Sequence, residues 1–481
     1  MRFFMWTDSA FSFNRRAFLR ASAGGLGSLA LAQLLSLEGR ADDKPPEPPS
    51  PLAPKPPHFK PRAKSVICLF QHGGPSQMDL FDAKPELNKR DGEDHPGELE
   101  IHFDKKAGKL LKSPFAFRAA GQCGMELSEL LPHTAGIADE ITLIRSMKTD
   151  SVDHESALRI IHGGKFQAGR PTWGAWVIYG LGTERQDLPA YVVLSDPGGL
   201  PVDGIQNWSA GWLPALYQGT PIRSEGTPVF NLEPPADVPP PARANQLRFL
   251  DAINRSHMAA HRNNPELAAR IRNFEIAARM QTSVAEVLDL SKEPDSIKRL
   301  YGLDHSNKAT ANYARRCLMA RRLVEQGVRF VQIYLSGQPW DTHEKNAEKL
   351  RDLCVMTDQA SAALVLDLKQ RGLLDETIVL WTGEFGRLPV SQGKDGRDHN
   401  RHGFSLWLAG GGFKKGYVHG ATDDFGYRSV KDVVPVYDLH ATLLQALGLD
   451  HRKLTYPHEG RDDSLTDVAI TDANPVRELL A

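Results

Sequence analysis

Cysteine is scarce in this chain of 481 residues. Four occur, Cys68, Cys123, Cys317 and Cys354, and none belongs to a C-x-x-C pair. Neither a disulfide scaffold nor a thiolate zinc site is suggested. A charge surplus is missing too: 58 Lys and Arg stand against 59 Asp and Glu, a formal net charge of −1. The basic excess of a broad nucleic-acid footprint is therefore absent, and no nucleic-acid partner is expected. The 41% hydrophobic share is too high for a disordered chain and ordinary for a globular one. By length alone, at roughly 100–200 residues per domain, the chain allows two to four domains or one large α/β domain with insertions.

The amino terminus departs from these averages. Asn14-Arg15-Arg16-Ala17-Phe18-Leu19-Arg20 precedes a weakly apolar stretch from Ala21 to Leu37. Paired arginines, then Phe-Leu, then a short apolar region is the pattern of a twin-arginine export signal. The alternative is an amphipathic surface helix that happens to carry Arg-Arg. No clean A-x-A site stands directly before Asp42, where the residues are Gly39-Arg40-Ala41, so cleavage and an uncleaved anchor are both open, and the membrane is expected to be touched only through this segment. Residues 1–41 carry a net charge of +3, which leaves the remainder near −4. From Lys44 to Pro61 nine of eighteen residues are proline, the composition of a stiff polyproline spacer. The predicted organisation is a signal over 1–41, a linker over 42–63 and a folded body from 64 to 481. Its periplasmic or extracellular destination follows from the signal.

The body alternates strand-like and helix-like segments. Ser65–Phe70 is an almost unbroken apolar run, as in a strand buried on both faces of a parallel sheet. Similar runs are Ile141–Ile144, Tyr191–Leu194, Val328–Leu335, Thr377–Trp381 and Phe404–Ala409, with helical patterns over Asn312–Gln326 and Thr357–Arg371. The alternation predicts an α/β fold, a doubly wound, mostly parallel sheet with helices on both faces, whose ligands bind beyond the carboxyl ends of the strands. The block from about 244 to 326 reads as a helical insertion or cap. The Pro-, Gly- and Trp-rich stretch 200–243 reads as an extended surface loop.

Metal-ligand residue types cluster past those strands. Trp340-Asp341-Thr342-His343 follows one, and in extended backbone residues i and i+2 share a side, so Asp341 and His343 can converge on one cation. Gly383-Glu384-Phe385-Gly386-Arg387 follows the next, and Asp398-His399 precedes the strand at Phe404. Hard oxygen and borderline nitrogen ligands from neighbouring strand ends suit a hydrolytic metal site. Arg387 is a candidate partner for Glu384 or for an anionic substrate. Asp79, past the first strand, is a further carboxylate candidate. Beyond Ile144 comes Arg145-Ser-Met-Lys-Thr149-Asp150-Ser151-Val-Asp-His154. Thr149 and Ser151 are candidate nucleophiles at a helix start and His154 a candidate ligand. The competing reading is that Thr149, Asp150 or Ser151 merely caps the helix.

The segment Leu368 to Gly386, ending T-G-E-F-G, is similar to the helix–strand–metal-loop segment of sulfatases and other alkaline-phosphatase-like proteins. Val436-Tyr-Asp-Leu-His-Ala-Thr-Leu-Leu to Gly448 resembles a late helix of that superfamily. The ordered set G-G-P-S-Q-M-D-x-F-D, R-S-M-x-T-D, G-R-P-T-W-G-A-W, W-D-T-H, G-E-F-G-R, G-R-D-H and A-G-G-G resembles the DUF1501 family of exported bacterial proteins, and spans nearly all of residues 64–470. The resemblance implies an alkaline-phosphatase-like fold and a divalent cation (Zn, Ca, Mg or Mn) near Asp341, His343, Glu384 and His399. Phe385 stands where a second ligand is expected, Gln71-His72 where acidic ligands are, and no C-x-P-S-R motif supplies a formylglycine nucleophile. Two functional expectations follow. One is a metal-dependent hydrolase of phosphate or sulfate esters acting on an anionic ester or polysaccharide, with Arg387 or Arg145 steadying the anion. The other is an exported binding or scaffold protein that keeps the fold without turnover.

Overall fold

The structure is a computed structural model that describes residues 50–103, 106–226, 239–261 and 286–481, with 267, 271, 274 and 284 between the last two blocks. The predicted signal lies outside the described residues.

The central sheet is built from β1 (Ser65–Phe70), β2 (Ile141–Lys148), β3 (Tyr191–Ser195), β4 (Thr220–Arg223), β5 (Phe330–Ile333), β6 (Thr377–Thr382), β7 (Phe404–Ala409), β8 (Tyr417–His419) and the short β9 (Val434–Pro435). Its order is β8-β2-β7-β6-β1-β5-β3-β4, with β9 beside β2. From β6 to β4 neighbouring strands are parallel. The expected mainly parallel α/β architecture is observed. β7 alone runs antiparallel to both its neighbours, β2 and β6.

The apolar run of β1 explains its central place. Val66, Cys68 and Phe70 face one core, Ile67 and Leu69 the other. A strand buried on both faces needs apolar residues at every position, and full burial of each large side chain contributes about 1.5–3 kcal/mol. Against the first core pack α1 (His154–Gly163), α2 (Trp173–Leu181) and α5 (Val436–Ala446); against the second pack α3 (Lys308–Glu325) and α4 (Asn346–Gln370).

Three expectations are corrected. The proline-rich run is no free spacer from residue 51 onward. Leu52 is buried in the core, and Lys55, His58, Phe59, Arg62 and Ala63 donate backbone N–H groups to Leu181, Gly448 and Ala446 carbonyls. Extended backbone suits this, because its unpaired amides can satisfy the open carbonyls at helix ends. The 200–243 stretch is more than a surface loop: it adds edge strand β4 and buries Trp208, Leu213 and Tyr217. Within the 244–326 block, α3 packs directly on β1 and β5 as a layer helix of the sheet, since its apolar stripe includes Cys317, Leu318 and Leu323.

All four cysteines are free; Cys68, Cys317 and Cys354 are buried and Cys123 is exposed. Burial pushes the Cys317 thiol up to about 12, and unreactive thiols are expected of such sites. Titration with a thiol reagent should therefore label one cysteine in the native protein and four after denaturation. Two or more native equivalents would contradict the packing.

Candidate metal centre

The parallel strands β1, β5 and β6 end at one edge of the sheet, and so does β2. Because β7 is reversed, its beginning lies at that same edge. The loops after β1, β5 and β6, the start of α1 after β2 and the approach to β7 therefore meet in one place. Gly73 lets them close. It adopts φ +117°, and a Cβ there would lie 2.5 Å from the Asp341 nitrogen and 2.8 Å from Trp340 backbone atoms. Any other residue would push the Asp341 loop away.

Asp341 Oδ1 is the focus. His343 Nε2 lies 2.9 Å from it, His399 Nε2 3.2 Å and His154 Nε2 3.5 Å. The other nitrogen of each ring is held from behind. His399 Nδ1 lies 2.6 Å from the Val152 carbonyl, His154 Nδ1 2.6 Å from Glu384 Oε1, and His343 Nδ1 meets the Gln392 side-chain oxygen. These oxygens only accept, so each Nδ1 carries the hydrogen. In the neutral rings every Nε2 then presents a lone pair, and all three are aimed at a carboxylate oxygen. Arg387 donates to this oxygen from the protein side at 2.6 Å, but three nitrogen lone pairs facing an oxygen still repel unless a further positive charge sits among them. A divalent cation satisfies all four, and imidazoles backed by a carboxylate, a carbonyl or an amide oxygen are how proteins orient metal ligands. The residues fit the divalent cation that the sequence implied. The donor atoms of His154, Asp341 and His399, and those of His343, Asp398 and His399, lie within 4.8 Å of one another in each group.

The electrostatics agree. Burial alone would raise the Asp341 carboxyl, but His154, His343, His399 and the Arg387 guanidinium hold it far below the usual carboxylate range. Burial would lower His154, yet Asp341 and Glu384 outweigh it and push the ring up to about 9. His399 is pushed down to about 4, by burial first and by Arg387 and His154 as well. A proton on His154 meets the same demand for positive charge that a cation would meet.

Other predicted residues stand at different distances from this centre. Glu384 is fully buried behind His154, accepting from it and from the Gly73 N–H at 2.9 Å, so it orients a ligand. Asp398 holds the neighbouring loop, accepting from the His102 and Phe103 amides at 3.0 Å each. Asp79 is corrected as a ligand: Arg397 binds both its oxygens at 2.8 and 3.1 Å, and Ser76 and Asn346 add bonds at 2.6 and 2.9 Å. Its carboxylate is thus engaged by the protein, and Asp79 does not join the His154, Asp341 and His399 group. Arg387 is corrected as an anion binder. It is fully buried and donates to Asp341 Oδ1 at 2.6 Å and to the carbonyls of Gly73, Gly74, Trp340 and Arg397. It is a strut that fixes Asp341. Arg145 is turned to the Glu126 carbonyl and Asp82.

Thr149 is buried, and among the described residues its hydroxyl has no hydrogen-bond partner. The Ser151 hydroxyl bonds the Asp153 backbone. The helix cap is none of the three residues anticipated: Asp153 accepts from the Ser156 N–H at 3.0 Å. His72, named in the sequence only as standing where acidic ligands are expected, is fully buried 6.3 Å from the His154 ring, and among the described residues neither of its ring nitrogens has a hydrogen-bond partner. It follows the doubly buried strand β1 by two residues.

Residues 63–480 match the model of a family described as a protein of unknown function, DUF1501. The chain belongs to the DUF1501 family. No curated protein matches it. Among solved structures it is similar to the lipoteichoic acid synthase LtaP from Listeria monocytogenes, at 10% identity over 82% of this chain and 76% of that one, with TM-score 0.33. It is also similar to the PsFucS1 sulfatase from Pseudoalteromonas sp. at 12% identity, 87% and 76% coverage and TM-score 0.35. The phosphonate monoester hydrolase of Agrobacterium radiobacter gives 10% identity, 87% and 77% coverage and TM-score 0.35.

Two substitutions separate the roles assigned here to the DUF1501 chain's buried acids. Glu384→Gln should weaken zinc or manganese binding by about 10–100-fold, as loss of a ligand's supporting partner does, with little change in unfolding midpoint. Asp79→Asn should lower stability by about 3–5 kcal/mol through the orphaned Arg397 and leave metal stoichiometry unchanged. Metal titration and chemical denaturation read both. The reverse pattern would contradict the assignment.

Proposed function

We propose that this DUF1501 protein is a metal-dependent hydrolase of phosphate or sulfate esters. The observation that carries the reading is the set of three imidazole lone pairs and one carboxylate oxygen converging at a sheet edge. Of the four cations named, three nitrogens in the donor set favour zinc most, with manganese next, over calcium and magnesium, which prefer oxygen. When bound, such a cation polarises an ester oxygen and lowers the pKa of water. The chain's own residues do the positioning. Asp341 and the three histidines supply donors, Arg387 fixes Asp341, and Glu384, Val152 and Gln392 fix the ring tautomers. Phe385 packs against the His154 and His399 rings at 4.8 and 4.5 Å, so an apolar ring fills the place of a second ligand and a single cation is proposed.

Thr149 and Ser151 remain the proposed protein nucleophiles, with water as the alternative. Ser151 directly precedes Val152, whose carbonyl anchors His399. One observation favours the second reading, a binding or scaffold protein: Arg387 and Arg145 are both engaged by the protein itself, which leaves neither to steady an anionic substrate. Export by the twin-arginine route is also proposed, supported by Arg15-Arg16 and the apolar stretch that follows. Among the described residues no helix is long and apolar enough to cross a membrane.

The zinc- or manganese-loaded protein should hydrolyse members of a phosphate and sulfate ester panel. Loss of at least 100-fold in kcat on Ser151→Ala or Thr149→Ala, with metal retained, identifies the nucleophile; full activity in both points to water. A loaded wild-type protein that hydrolyses no ester supports the scaffold reading instead. Replacing Arg15-Arg16 by Lys-Lys should hold the protein in the cytoplasm, and unaffected export would contradict the signal.

A further inference from the structure

Beside the ligand cluster stands an aromatic side chain that the described residues leave exposed. His343 is the most exposed of the four ligands, 27% against 13% for Asp341, 10% for His154 and 1% for His399. Beside it stands Phe103, 58% exposed. The phenyl ring lies 4.9 Å from the His343 ring and 5.2 Å from the His399 ring, nearly perpendicular to both.

This position is built. Asp398 accepts the amides of His102 and Phe103 at 3.0 Å each. The His102 ring stacks on His399 at 5.4 Å. Upstream, Glu100 bonds Arg401 and His402 at 2.9 and 2.7 Å. Three separate anchors thus hold a backbone whose next side chain is left half in water. Isolated exposed apolar residues are ordinary on a surface, but here the exposed ring stands nearly perpendicular to two candidate ligand rings, one of them the most exposed of the four.

We propose that Phe103 is a specificity-determining residue: a platform on which a ring attached to the substrate's ester oxygen lies while the oxyanion faces the metal centre. The ligand class is a ring-bearing phosphate or sulfate ester, in which the ring is either aryl or a saturated pyranose. Both present an apolar face that can pack on a phenyl ring. This rests on the metal-centre reading above and narrows it to a substrate class.

The test uses phosphonates, which keep the oxyanion and cannot be hydrolysed as esters, so it does not depend on turnover. Phenyl-, cyclohexyl- and methylphosphonate are titrated into the zinc-loaded full chain by calorimetry, alongside Phe103→Ala and Phe103→Trp. In the wild type a ring-bearing phosphonate should bind about tenfold more tightly than methylphosphonate, the scale of one aromatic contact. The ratio should fall to near one in Phe103→Ala and return in Phe103→Trp, with metal stoichiometry unchanged in all three. Preference for phenyl alone assigns an aryl group, and equal binding of cyclohexyl assigns a saturated ring. A wild-type ratio near one, or a ratio unaffected by Phe103→Ala, overturns the platform. Loss of metal in Phe103→Ala assigns the ring a structural role and overturns it as well. A ratio that behaves as expected in a protein with no ester turnover keeps the platform and removes only the hydrolase reading.

Discussion

One oxygen of Asp341 receives three imidazole nitrogens and a guanidinium. The rest of the site is organised around making that crowding possible. Arg387 satisfies part of the charge from the protein side, and its remaining donors fasten the carbonyls of Gly73, Gly74, Trp340 and Arg397. A single buried cation thereby joins the loops after β1, β5 and β6 and the approach to β7. Buried charges are costly unless paired and fully hydrogen-bonded, and Arg387 meets both conditions. The same saturation removes it from substrate binding.

The reversed strand β7 matters as much as any ligand. In an all-parallel sheet, a residue just before a strand would lie at the opposite edge from residues just after the others. Reversal brings His399 to the edge that Asp341, His154 and Glu384 share. Gly73 then allows the backbones of two loops to touch, which a Cβ would prevent. Fold and site are thus linked through two local requirements, one of strand direction and one of backbone conformation.

Much of this was legible in the residues. Continuous apolar runs located β1, β6 and β7 to within a residue, because a strand buried on both faces is apolar along most of its length. Asp341, His343, His154 and His399 were readable as donors because each lies near the end of such a run, the first three after a strand and His399 before one. What was not legible depends on side-chain pairing across long sequence distances. Nothing near Asp79 announces that Arg397, 318 residues later, will take both its oxygens. Arg387 looked like an anion binder because a Gly-flanked arginine at a strand end gives no hint that four carbonyls surround it. The edge strand β4 was hidden by its proline, Pro221, which suits an outer strand and masks it as a loop. The run from Pro51 was read as a spacer because extended proline-rich chain looks the same whether free or docked.

The central claim is that the convergence at Asp341 holds one divalent cation. Elemental analysis of the purified protein after saturation with zinc or manganese and removal of excess measures it directly. One equivalent per chain in the wild type, lost in Asp341→Asn and His399→Ala while the fold is retained, is the predicted result. A wild-type protein that retains no metal after saturation would contradict the account.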